Sequence, residues 1–81
     1  MRSFESSISA ATVEVFRTSV QSDLSAMEII NALLHLFPES RINFDLDDCD
    51  RILRVEGCNL STQAITDVLG RRGFECEVLE G

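Results

Sequence analysis

The sequence predicts an α+β domain in which one four-stranded antiparallel sheet carries two helices on a single face. Two observations predict it. Four stretches with alternating apolar residues, Thr12–Arg17, Arg41–Leu46, Arg51–Glu56 and Phe74–Val78, are interrupted twice by stretches with helical spacing that begin near Ser22 and Ser61. Each alternating stretch also offers one apolar and one mostly charged side, so only one sheet face needs cover. The order β-α-β-β-α-β is the split unit of ferredoxin-like folds, a βαββαβ sandwich.

Residues 1–10 are Ser-rich with three isolated large apolar residues and no period, which predicts a flexible N-terminal tail before a single domain over residues 11–81. In the first strand Val13 and Val15 share one face and Glu14 and Phe16 the other. The first helix is the most regular element. Ala26, Ile29, Ile30, Leu33 and Phe37 fall on one stripe, with Met27, Leu34 and Leu36 at its edges and Glu28, Asn31 and His35 opposite. Ser22 followed by Asp23 is one start signal, and the Ser25-x-x-Glu28 capping box is another. Pro38 ends the helix.

Ile42, Phe44 and Leu46 point inward on the second strand. The acidic turn Asp47-Asp48-Cys49-Asp50 joins it as a hairpin to the third, where Leu53 and Val55 are the core side. Gly57 to Leu60 reads as a loop, and Ser61 or Asn59 caps a second helix with Ile65, Val68 and Leu69 on its apolar face. Gly73 is placed for the left-handed residue past the helix end, and the last strand alternates Phe74, Cys76 and Val78 against two glutamates.

An 81-residue chain, 44% hydrophobic and 26% charged, fits one small domain. Fourteen acidic residues oppose seven basic ones, all Arg, for a net charge of −7. That balance argues against nucleic acid as a partner. No apolar run approaches the ~18 residues that span a bilayer, and Met1-Arg2-Ser3-Phe4-Glu5 lacks a secretory apolar core, so no membrane association is expected. Three cysteines without close pairing suit a reducing compartment, and the expected location is cytoplasmic.

The pattern from Thr12 to Leu79 resembles the heavy-metal-associated domain of copper chaperones and metal-pumping ATPases. The likeness lies in the element order and in the ending Gly73-Phe74-Glu75-Cys76-Glu77-Val78. That family is similar in carrying Met-x-Cys-x-x-Cys between first strand and first helix. Counting back from Ile29 and Leu33, Ser22 and Ser25 fall at the two cysteine positions and Val20 at the Met. Because a Ser hydroxyl does not ionise at neutral pH, the resemblance implies the fold with its metal site lost and no cofactor. Ser22 and Ser25 then read as helix caps.

Other constellations are weighed in the same way. Cys58, just upstream of a helix start, is a possible reactive thiol, against an ordinary loop cysteine. Cys76 reads as a small core hydrophobe. Asp45, Asp47, Asp48, Asp50 and Glu56 invite a calcium-loop reading, but an EF-hand needs Gly where Asp50 stands and helices where strands are expected. A solvated acidic turn is the simpler account. Val20-Gln21 begins like the phosphate loop of an acylphosphatase, without its glycine or arginine, and His35 reads as a solvated histidine.

The expectation is a non-catalytic binding or interaction module, not an enzyme, with a protein partner or a second copy pairing through a sheet edge. The alternatives are a metal-handling protein with an atypical site such as Cys58 with Cys76, and a small acylphosphatase-like enzyme.

Overall fold

The computed structural model describes residues 11–79, so the tail expected over residues 1–10 lies outside the described residues. The elements run β1 (Ala11–Thr18), α1 (Asp23–Leu36), β2 (Arg41–Asp45), β3 (Ile52–Cys58), α2 (Thr62–Arg71) and β4 (Cys76–Leu79). They form one four-stranded antiparallel sheet in the order β2-β3-β1-β4, the ferredoxin-like α+β arrangement.

One face of the sheet packs on both helices. Phe16, Leu53 and Val55 from the strands meet Ala26, Ile29 and Leu33 from α1 and Ile65 and Leu69 from α2 in a single buried cluster. Each of these side chains other than Ala26 contributes about 1.5–3 kcal/mol by leaving water. The helix phase read from the sequence holds, since Glu28, Asn31 and His35 are exposed. On β1 the burial of Phe16 decides which face is inward, and Val13 is 51% exposed on the other. The open face of β1 is therefore less charged than the strand pattern suggests.

The strand boundaries differ from the sequence reading in every strand. Leu46 and Arg51 lie in the turn, where Arg51 takes φ 48° and its guanidinium donates to the Leu46 carbonyl at 2.7 Å. β3 runs on through Gly57 and Cys58 because β1 extends to Ala11 and pairs with them. A Cβ at Gly57 would meet the Ser40 Cβ at 3.1 Å, so the absent side chain permits that close approach. Phe74 precedes β4 because it completes the end of α2, and Glu75 is held instead by Ser19, whose Oγ accepts from the Glu75 N–H at 2.8 Å and whose N–H donates to the Glu75 carbonyl. Gly73 adopts φ 84°, its N–H donates to the Gly70 carbonyl, and the Phe74 N–H reaches back to the Leu69 carbonyl. This paired closure is a Schellman motif, with Phe74 packed against the core beneath it.

Candidate interaction surface beside strand β2

The β1–α1 junction is built as a helix cap. Ser22 is extended, at φ −121° and ψ 149°, and its Oγ accepts from the Ser25 N–H at 3.1 Å. Ser22 thus wins over Ser25, which lies inside the first turn of α1, with Asp23 favourably placed at the positive helix end. Val20 is fully buried and serves the core. The Ser22 hydroxyl, which accepts from the Ser25 backbone N–H, and the Ser25 hydroxyl offer no soft ligand to a metal.

The cysteines are dispersed. Cys58 is exposed at the end of β3, on the strand rather than in a loop, with Ser61 capping α2 three residues later by accepting from the Ala64 N–H. Cys58 lies opposite Ala11 and Cys76 opposite Thr18, seven residues apart along β1, or roughly 23 Å at ~3.3 Å per residue. They also face opposite sides of the sheet, so one chain cannot bring them to one ion. Cys76 is half-buried against the core, and burial pushes its thiol up to about 11.

The acidic turn does not close as a calcium loop. Glu56 pairs with Arg41, four residues along β2 from Asp45, or roughly 13 Å. Asp48, Cys49 and Asp50 do bring ligand atoms within 4.8 Å of one another, all exposed. The Asp48 carboxylate, however, accepts from the Asp50 N–H at 2.8 Å, a turn-forming bond that accounts for its position. His35 places Nδ1 2.8 Å from the Asn31 carbonyl on the exposed side of α1.

The outer edge of β2 is a different kind of feature. Among the described residues no strand pairs with it, since β2 ends the sheet order. Its Arg41, Asn43 and Asp45 are exposed on the open face, while Ile42 and Phe44 are half-buried on the helix side. Between this edge and α1 runs a groove of about 600 Å³, whose apolar wall is Ala26, Met27 and Ile30 on the helix and Ile42, Phe44 and Leu46 on the strand, and whose rim carries Asp23, Asn43, Asp45 and Asp47. Met27 is 59% exposed there, and Leu24, one turn earlier, is 76% exposed. An unpaired strand edge with an apolar trough beside it can take an extended backbone, with pockets for alternate side chains. The sequence pattern put Met27 at the margin of the buried stripe. That Leu24 is exposed, and that the groove opens onto an edge rather than an inner strand, depends on the sheet order.

Neither the family models, nor curated proteins, nor solved structures give a match to this chain. Among the described residues no helix is long and apolar enough to cross a membrane.

Proposed function

We propose that the chain is a small non-catalytic interaction module that binds protein along the β2 edge, a ferredoxin-like domain resembling the heavy-metal-associated type with helix-capping serines in place of its thiolates. The observation that carries this reading is the outer edge of β2, unpaired among the described residues, beside a groove whose apolar wall includes Met27 and Phe44. The net charge of −7 favours a protein over a nucleic-acid partner, and three free thiols favour a reducing, cytoplasmic setting.

A photo-reactive residue placed at Met27, with one at His35 on the exposed side of α1 as control, tests the reading in cells. The expected result is a discrete covalent protein adduct from position 27 and none from position 35. Absence of an adduct at 27, or equal adducts at both, would overturn it.

A further inference from the structure

Resting on that reading, we infer that the partner at this edge is a second copy of the chain, paired antiparallel through β2 about a two-fold axis at Asn43. The strand Arg41-Ile42-Asn43-Phe44-Asp45 is complementary to itself when reversed. Asn43 meets Asn43, Ile42 meets the partner's Phe44 on the helix side, and Arg41 meets the partner's Asp45 on the open side. Both unlike pairs occur twice, as an isologous interface requires. An aromatic residue opposite a β-branched one and opposite charges directly across are the favourable cross-strand pairs.

A two-residue slip loses this match. Pairing about Ile42 sets Asp45 against the partner's Glu39, and pairing about Phe44 runs beyond Asp45, where β2 ends. A two-fold axis normal to the sheet keeps all helices on one side, so the two sheets become one of eight strands. Each α1 then flanks the seam. The half-exposed Met27 faces the partner's Met27, which covers the apolar wall of the groove and leaves the carboxylates of Asp23 and Asp47 at its rim.

Sedimentation should find a particle of twice the 9.0 kDa chain at micromolar concentration. Asp45→Arg sets like charges together at the seam and should weaken dimerisation at least tenfold, as should Arg41→Asp. An equimolar mixture of the two variants should restore a dimer, because each then meets the opposite charge. Arg41 also lies opposite Glu56 in its own chain, so Arg41→Asp carries a risk to folding.

Asn43→Cys, in a background of Cys49→Ser, Cys58→Ser and Cys76→Ala, keeps the test independent of that variant. It should form a disulfide-linked dimer on mild oxidation, whereas Arg41→Cys in the same background should not. A monomer at hundreds of micromolar, a dimer indifferent to Asp45→Arg, or equal cross-linking at 41 and 43 would each overturn the pairing. If the chain is monomeric while Met27 cross-links to a different protein, the second-copy inference fails and the interaction module stands.

Discussion

The Thr18 hydroxyl donates a 2.6 Å hydrogen bond to the carbonyl oxygen of Arg51, tying the end of β1 to the turn between β2 and β3. The Thr18 Oγ1 in turn accepts from the Val20 N–H at 3.2 Å, and the Thr18 N–H donates to the Asp50 carbonyl. Thr18 is buried, and its hydroxyl satisfies the buried Val20 N–H and the part-buried Arg51 carbonyl. Thr18→Val should therefore cost about 1–3 kcal/mol, because it keeps the shape and leaves those groups unpaired. Thr12→Val, at an exposed hydroxyl on β1, should cost less than about 0.5 kcal/mol. Urea midpoints of the two variants check the contrast.

Leu33 and His35 separate the faces of α1. Leu33 is fully buried, and Leu33→Ala should cost about 2–5 kcal/mol through the cavity it leaves. His35→Ala should fall within about 0.5 kcal/mol of wild type. Equal shifts in denaturation midpoint would contradict the helix phase.

The thiols should react in order of exposure. At pH 8 a thiol reagent should label Cys49 and Cys58 well before Cys76, whose thiol is half-buried and pushed up to about 11. A thiol whose pKa is raised from 9.0 to about 11 by folding adds stability below pH 9 and loses it as pH rises toward 11. Cys76→Ala should flatten that alkaline decline, read from denaturation midpoints between pH 8 and 11.

Gly73 closes α2 at φ 84° with open space where a Cβ would stand. Gly73→Ala should thus cost about 1–2 kcal/mol through backbone strain alone, with no clash to relieve. Gly70→Ala, inside the helix and also unobstructed, should instead stabilise by about 0.5–1 kcal/mol. Thermal melts of the two variants should move in opposite directions.

The backbone at Ser22 and Ser25 gives a direct test of the resemblance to a metal-associated fold. Wild type should hold no tight Cu(I) in this loop, whereas Ser22→Cys with Ser25→Cys should create a site, since two thiolates at a helix N-terminus suit a soft cation. Loss of the Ser22 cap should cost about 1 kcal/mol. Competition against a Cu(I) chelator, with Cys49, Cys58 and Cys76 replaced, reads the new pair alone. A folded double variant without gained affinity would break the positional alignment.

The element order, the phase of α1 and the close of α2 at Gly73 were legible in the sequence because local periodicity and backbone preference decide them, while the N-cap of α2 was narrowed to Ser61 or Asn59 and the structure selects Ser61. The choice of Ser22 over Ser25 was not, because both signals are locally sound and the full burial of Val20 sets where the chain turns into the helix. Periodicity groups Val13 with Val15 and Glu14 with Phe16, but only packing against the helices sends Phe16 inward. The bridging role of Thr18 has no local signal, since its partner Arg51 is 33 residues away and no pattern links them. Cys58 and Cys76 both looked available for one site until strand pairing set them at opposite ends of β1 and on opposite faces. Sheet order likewise made β2 an edge: the self-complementary pattern from Arg41 to Asp45 is written in the chain, but only pairing among distant segments leaves one side of that strand open to a partner.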